Sequence, residues 1–96
     1  MKYNIVESKM AKDELIELVL FYEKIQPNLG DRILDEYEII LDTLEITPHH
    51  YFNVSNSIRR ILFKKFHCGV FYKITDDIVE IVSIKDLRIN PQKFLK

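Results

Sequence analysis

The side chains best suited to chemistry are concentrated in the last third of the chain. The candidates are five of the cations within residues 57–88: Arg59, Arg60, Lys64, Lys65 and Arg88. Such a set could bind the phosphates of a nucleic acid, stabilise negative charge in a reaction, or bind an acidic protein. Neighbouring residues of a strand point to opposite faces. One member of each adjacent pair should therefore face solvent or a partner, while the other covers apolar surface with its stem.

The charge of the chain is divided along its length. Residues 1–56 carry five Lys and Arg against eleven Asp and Glu, a balance of −6, whereas residues 57–96 carry nine against four, a balance of +5. The sum of −1 and the pI near 6.3 are low for a dedicated nucleic-acid-binding domain, whose pI usually exceeds ~9. The sequence therefore predicts an acidic side and a basic side, and the basic side would attract an acidic partner.

Other residues with reactive side chains give weaker patterns. His49 and His50 are adjacent and have no cysteine nearby, so we predict no metal site and no cofactor. Cys68 is the only cysteine, which excludes an internal disulfide, and it has no catalytic partner at an informative spacing. Histidine is suited to acid–base catalysis, but His67 lies at a break between strands, where a surface histidine is the commoner explanation.

The elements that must position these residues follow from the spacing of apolar residues. Residues 2–7 are rich in β-formers and predict a strand. Apolar residues then recur at steps of three and four in two segments, which predicts two helices. Ser8 should cap the first helix, and Pro27 should end it. Asn28 should cap the second helix, and Pro48 should follow its end.

Three apolar stretches follow the helices and predict three strands. Residues 49–56 have mixed polarity and turn-forming residues, which indicates a loop. Asp76 and Asp77 predict a tight hairpin turn, although the usual glycine is missing there. Residues 78–84 are nearly all apolar, as expected of a central strand covered on both faces. The order β-α-α-β-β-β predicts a single α+β domain over residues 1–96, with two antiparallel helices packed on one face of a small antiparallel sheet and the first strand at an edge.

Three local patterns, in this order and spacing, resemble those of one known family. The helical hairpin ends in Leu-x-x-x-Pro, here Leu44 to Pro48. The following meander has the pattern "I-R … F … Y-x-I-x-D-D-x-I-x-I", and the tail has "R-x-x-P-x-x-[WYF]". The residues that match are Ile58, Arg59, Phe66, Tyr72, Ile74, Asp76, Asp77, Ile81, Arg88, Pro91 and Phe94, and Ile78 follows the two aspartates directly. Over essentially its whole length the chain resembles the RelE/ParE superfamily of bacterial toxins, the plasmid stabilisation type found in type II toxin–antitoxin pairs.

The resemblance implies one fold with two activities. RelE-type members cut messenger RNA on the ribosome with basic residues and an aromatic acid–base group near the C-terminus. ParE-type members do not cleave RNA but poison DNA gyrase. Members of both types are silenced by an antitoxin that wraps around the toxin. The residues that would contact a partner here are Arg59, Arg60, Lys64, Lys65, Arg88 and Phe94.

The RelE-type catalytic positions are only partly occupied in this chain. If the chain were a ribonuclease, its catalytic residues would be Arg60, Lys64 and Arg88. Leu62 and Gly69 stand where the RelE pattern has further cations. Phe94 stands at the place of the C-terminal tyrosine, and phenylalanine has no proton to give. A net charge of −1 is also low for a nuclease that must bind the ribosome.

The sequence therefore favours a ParE-like toxin without enzymatic activity, which binds a protein target of the DNA gyrase type and is neutralised by a cognate antitoxin. A ribosome-dependent mRNA endoribonuclease is the alternative, and a non-toxic interaction module or toxin relic is a third. No run approaches the ~18 apolar residues of a membrane span, and no signal-peptide pattern is present. We expect a cytoplasmic protein with no membrane partner. Without its antitoxin, a free sheet edge would favour a homodimer.

Overall fold

A computed structural model describes residues 2–88 of the chain. These residues form two helices and five strands. In chain order they are β1 (Asn4–Glu7), α1 (Lys9–Ile25), α2 (Leu29–Ile46), β2 (Phe52–Asn53), β3 (Arg59–Leu62), β4 (Cys68–Thr75) and β5 (Ile78–Asp86), with a short 3-10 turn, Pro48–His50, between α2 and β2. The strands form one sheet in the order β1-β5-β4-β3-β2. The helices pack on one face of this sheet, which confirms the predicted α+β class and its order of elements.

The first strand joins the edge of the sheet, as predicted, but it runs parallel to β5, with Glu7 opposite Ile81. The sheet is therefore mixed, because the remaining pairs are antiparallel. The reason is that only Ser8 separates β1 from α1, which leaves no room for the chain to reverse. α1 continues along β5, where the N–H of Ser8 donates to the carbonyl of Ile81 and the N–H of Ile84 donates to Glu14. The chain reverses its direction four times after α1, and β5 therefore runs in the same direction as β1.

The helix ends lie where the sequence predicts them, with one difference in the way they are capped. The hydroxyl of Ser8 accepts a hydrogen bond from the N–H of Ala11 at 3.0 Å and caps α1. Asn28 holds the N-cap position of α2 with a φ of 77°, but its side chain makes no capping bond. The carboxylate of Glu23 accepts from the N–H groups of Asn28 and Gly30 instead, at 3.0 Å each. A side chain of α1 therefore closes the hinge between the helices.

The two helices approach each other closely at Gly30. A Cβ atom added there would lie 2.9 Å from Val19 Cγ1 and 3.0 Å from the carbonyl oxygen of Val19. Both separations are shorter than van der Waals contact. Glycine is therefore needed here because the backbones of α1 and α2 are close.

The core lies between the helical hairpin and the face of the sheet on which it packs. Its fully buried members are Ala11, Ile33, Leu44, Cys68, Val70, Tyr72, Val79 and Ile81. The hydroxyl of Tyr72 donates to the carbonyl of Pro48 at 2.6 Å, and burial raises the pKa of this phenol to about 12. In β5 the residues that face the helices, Val79, Ile81 and Ile84, are buried, whereas Ile78, Glu80 and Val82 are exposed or only partly buried. The strand has neighbours at both edges but is covered on one face, not on both as predicted.

Two connections add detail to the predicted elements. Residues 49–56, expected to be a loop, contain the two-residue strand β2, in which Phe52 lies opposite Arg60. The turn between β4 and β5 forms at Asp76 and Asp77 as predicted, and Asp76 adopts a φ of 54°, the conformation that a glycine would otherwise supply. No helix within residues 2–88 is both long and apolar enough to cross a membrane.

Candidate functional site

Apart from Arg59, the described candidate cations lie at two places on the sheet. Arg60 lies on β3, next to the edge strand β2, on the face opposite the helices. Lys64, Lys65 and Arg88 lie at one end of the sheet, where β3 turns into β4 and where β5 ends, and we call these three residues the cationic end. The predicted partner residue Phe94 lies outside the described residues.

Arg59 is bound to the protein's own backbone. Its Nη1 donates to the carbonyl oxygens of His49 and Tyr51, at 3.1 and 2.9 Å. These bonds hold the segment between α2 and β2 against β3. The guanidinium therefore has a clear structural use, and the predicted contact of Arg59 with a partner is not needed to explain its position.

Arg60 lies in a row of side chains that crosses the open face, between Phe52 on β2 and Phe71 on β4. Its Cζ is 5.1 Å from the centroid of the Phe52 ring, which is a cation–π contact. Its stem passes over Gly69, where an added Cβ would lie 3.3 Å from Arg60 Cγ. The buried Nε of Arg60 has no hydrogen-bond partner among residues 2–88.

The turn between β3 and β4 presents Lys64 and Lys65 to solvent. The carboxylate of Glu36 on α2 ties this turn in place, since its Oε1 accepts from the N–H of Lys64 at 2.8 Å and from the N–H of Lys65 at 3.4 Å. Neither ammonium group has an ion-pair partner in the part of the chain that the structure describes. The acid therefore fixes the backbone of the turn and leaves both positive charges available.

Arg88 lies just beyond β5 on a buried acid–phenol pair. The hydroxyl of Tyr22 donates to Asp86 Oδ2 at 2.7 Å and accepts a hydrogen bond from Arg88 Nη2. The backbone N–H of Arg88 donates to Asp86 Oδ1 at 3.0 Å. The side chain of Asp86 is 4% exposed, whereas that of Arg88 is 53% exposed. The solvent-facing cation of Arg88 is thus held by two buried side chains.

Burial and hydrogen bonding change the acid–base behaviour of this cluster. Burial raises the pKa of Tyr22, and the hydrogen bond to Asp86 raises it further. Tyr22 raises the pKa of Arg88 through charge and hydrogen bonding, and Asp86 adds to the effect. Burial also raises the pKa of the Cys68 thiol to about 11. Arg88 therefore stays charged, while Tyr22 and Cys68 hold their protons at neutral pH.

Backbone hydrogen bonds bring the parts of the cationic end together. The N–H of Phe63 donates to the carbonyl of Cys68 at 2.9 Å, which closes the β3–β4 turn. The N–H of Leu87 donates to the carbonyl of His67 at 2.7 Å, which joins the end of β5 to the same turn. A shallow cavity of about 260 Å³ is lined by this turn and by Leu87. The fold therefore places one patch of positive charge beside a partly apolar depression.

The chemistry available at this end is mainly charge stabilisation. Cys68 is fully buried and protonated, so it is a poor nucleophile. Tyr22 is 4% exposed and holds its proton. His67 is exposed beside the cavity and is the described imidazole nearest to these cations. Residues 2–88 contain no group of three or more His, Cys, Asp or Glu side chains arranged to hold a metal ion.

Three residues of the site were not predicted from the sequence: Tyr22, Glu36 and Asp86. Tyr22 belongs to the apolar stripe of α1, and nothing in that stripe indicates a polar partner for its hydroxyl. Asp86 lies 64 residues further along the chain, and Glu36 lies 28 residues before Lys64. No local pattern signals contacts at such separations, so only the fold could place these residues.

Comparisons with known proteins identify the fold. The chain matches no protein-family model, and a search of curated proteins finds no match. It is similar to the chromosomal ParDE toxin–antitoxin system of P. aeruginosa, with a TM-score of 0.76 and 10% identity, over 88% of this chain and 96% of that chain. It is also similar to a mutant of the E. coli toxin RelE in the free state, with a TM-score of 0.63 and 12% identity, over 98% and 93% of the two chains.

A third solved structure adds an antitoxin complex. The E. coli DinJ-YafQ toxin–antitoxin complex matches with a TM-score of 0.58 and 12% identity, over 94% of this chain and 98% of that chain. At such low identities the likeness concerns the fold. It confirms the RelE/ParE-like architecture that the sequence predicts.

Proposed function

We propose that this protein, which has the fold of the RelE/ParE toxins, is the toxin of a type II toxin–antitoxin pair. The observation that carries the proposal is the match to three such systems over 88% or more of each chain. The cationic end and Arg60 supply a surface that a toxin could use on its target or its antitoxin. The cytoplasm, where such a target would be found, is the proposed location.

The cognate antitoxin is the first proposed partner, and an acidic segment would suit it. Arg60, Lys64 and Lys65 carry charges that no described acid pairs with. α2, in contrast, carries one cation and six acids in 18 residues. Opposite potentials on two sides of a small domain orient an approaching acidic partner toward the sheet and away from α2.

A ParE-like mode of action, by binding a protein target such as DNA gyrase, is the favoured form of the proposal. Cleavage of RNA needs a proton acceptor and a proton donor beside the charge-stabilising cations. Burial withholds both Tyr22 and Cys68 from such a role, and the exposed imidazole of His67 beside the cavity could supply only one of the two groups. Binding a protein target requires only the shape and charge that Arg60 and the cationic end offer.

The decisive experiment is inducible expression in a bacterial host, with and without the neighbouring gene. We expect growth arrest that the neighbouring gene relieves, accompanied by DNA breaks and intact messenger RNA. Cleavage of messenger RNA on purified ribosomes would establish the RelE-type activity instead, with Arg60, Lys64 and Arg88 as its charge-stabilising residues. Growth without arrest at any level of the protein would indicate an interaction module or toxin relic.

Charge reversal tests the surface itself. The double change of Lys64→Glu and Lys65→Glu should weaken copurification with the product of the neighbouring gene, because it places acids where the partner's acids bind. Lys12→Glu is the matched control, since Lys12 is an exposed cation of α1 away from the sheet. Equal loss in both variants would count against the cationic end as the binding surface.

A further inference from the structure

We propose that Tyr22 and Asp86 are positioning residues, which hold the guanidinium of Arg88 in one orientation for recognition of an anionic group on a macromolecular partner. The inference rests on the proposed function for the partner that Arg88 meets, and on geometry alone for the way in which Arg88 is held. Both residues are buried, so this role could not be recognised from the charges or the exposed side chains of the surface.

The three side chains form a closed set of contacts. Tyr22 donates to one oxygen of Asp86 at 2.7 Å, and the backbone N–H of Arg88 donates to the other at 3.0 Å. Arg88 Nη2 donates to the Tyr22 hydroxyl, and Arg88 Cζ lies 5.8 Å from the centroid of the Tyr22 ring. Arg88 Nε is 3.7 Å from Asp86 Oδ1. Two nitrogens of the guanidinium are thus directed inward, and the remaining Nη1 is left for a partner.

The burial of Asp86 argues that the contacts are specific. A buried carboxylate is costly unless it is paired and hydrogen-bonded. Asp86 lies opposite Cys68 in the sheet, and it is the one buried charged residue within residues 2–88. An apolar residue at the end of β5 would pack at this place with less cost. The carboxylate is therefore better explained by what it binds, which is Tyr22 and Arg88.

Arg88 needs such a support more than the other cations do. It lies beyond the last strand, and its side chain is half-exposed. A free arginine there would sample many rotamers and would lose that freedom on binding. Contacts with the phenol and the carboxylate already restrict the Arg88 side chain before a partner binds, so less rotamer freedom is lost on binding. The gain appears as affinity for a partner, which distinguishes a positioning role from simple packing.

Nuclear magnetic resonance tests the positioning independently of any toxicity. In the purified full chain, the guanidinium Nη2–H signal of Arg88, assigned by its disappearance in Arg88→Lys, should be resolved and slow to exchange with water, because this group donates to the Tyr22 hydroxyl. Tyr22→Phe should bring it to the solvent-averaged position of an exposed arginine. Tyr37→Phe is the matched control, because Tyr37 is also a buried tyrosine whose hydroxyl donates to a carboxylate, that of Glu7. It should leave the Arg88 signal unchanged.

Growth arrest on induction then tests the consequence for function. Tyr22→Phe should raise the protein level that halves growth by about tenfold, since one hydrogen bond to a charged group corresponds to about that factor. The same change made in an Arg88→Ala background should have no further effect, because Tyr22 acts through Arg88. Tyr37→Phe should remain within about twofold of the wild type.

Each outcome separates the two proposals. An Arg88 signal that is already solvent-averaged in the wild type, or unchanged by Tyr22→Phe, overturns the positioning role whatever the toxicity. Additive effects of Tyr22→Phe and Arg88→Ala on growth overturn it as well. A resolved signal that Tyr22→Phe abolishes, in a chain that never arrests growth, supports the positioning and contradicts the toxin function. If Tyr22→Phe does not fold, Asp86→Asn is used, because it keeps the shape of the side chain and removes the charge.

Discussion

Glu14 fastens α1 to the part of β5 that β1 does not cover, and its loss should be costly. Its Oε1 accepts from the Ser83 hydroxyl and from the N–H of Ile84, both at 2.9 Å, and its Oε2 accepts from Lys85 Nζ. In Glu14→Ala the edge N–H of Ile84 loses its acceptor beneath the helix, which costs about 1–3 kcal/mol. Ser83 and the partly exposed Lys85 can turn to water, so each adds only about 0.5 kcal/mol.

These contributions sum to a loss of about 2–4 kcal/mol in the free energy of unfolding for Glu14→Ala. For a domain of this size, each kcal/mol lowers Tm by about 4–8 °C, so the loss should lower Tm by roughly 8–30 °C. Urea unfolding followed by circular dichroism measures the free energy, and a thermal scan measures Tm. Glu14→Gln keeps an acceptor for Ile84 and should lose about half as much.

The control is Glu17→Ala, which removes an exposed acid from the same helix and should stay within about 0.5 kcal/mol of the wild type. If Glu14→Ala were equally mild, the edge of β5 would not depend on α1. The reasoning about how this edge is satisfied would then be refuted.

Three further predictions follow from the geometry. Gly30→Ala should lower the free energy of unfolding by about 1–3 kcal/mol in urea despite its better helix propensity, because the new methyl group meets Val19 at 2.9 Å; an unchanged value would mean that the helices can separate freely. Because burial raises the pKa of the Cys68 thiol from 9.0 to about 11, its stabilising effect is complete below pH 9.0 and is lost as the pH rises toward 11. Urea unfolding should show this alkaline loss in the wild type and a smaller one in Cys68→Ala, and equal losses would contradict it. Glu36→Ala should speed hydrogen exchange at the N–H of Lys64 by about tenfold. Unchanged exchange would show that the β3–β4 turn keeps its conformation without Glu36.

The helices and the central strands are predictable because their signals are local. Apolar spacing, the Ser8 cap and the two prolines mark the helices within a few residues. The turn at Asp76 is marked by its sequence even without glycine, because aspartate tolerates the left-handed conformation better than most residues. These features need no information from elsewhere in the chain.

The direction of β1 and the presence of β2 are not local properties. The parallel pairing of β1 with β5 depends on the single residue between β1 and α1 and on the number of later reversals. β2 has two residues, Phe52 and Asn53, and no periodicity can be read from two residues. Its existence depends on Arg60 and the rest of β3 lying beside it.

The cations of the candidate site can be predicted from the sequence, but the side chains that hold them in place cannot. Exposed Lys and Arg at the end of a strand can be recognised from sequence, so Lys64, Lys65 and Arg88 were expected. The partners that hold them come from distant helices, Glu36 from α2 and Tyr22 from α1. Arg59, placed with the binding residues by its neighbours in sequence, serves the backbone because the loop carbonyls happen to lie beside it.

The pairing of β1 with β5 also bears on how the protein is made. Asn4 lies opposite Ile78, so the sheet cannot be completed until the ribosome has synthesised more than three quarters of the chain. Contacts so far apart in sequence form slowly, and a nascent chain that lacks β5 leaves the first strand without its neighbour. The complete sheet, and with it the anchored position of Arg88 beyond β5, can therefore form only after the last strand has been synthesised.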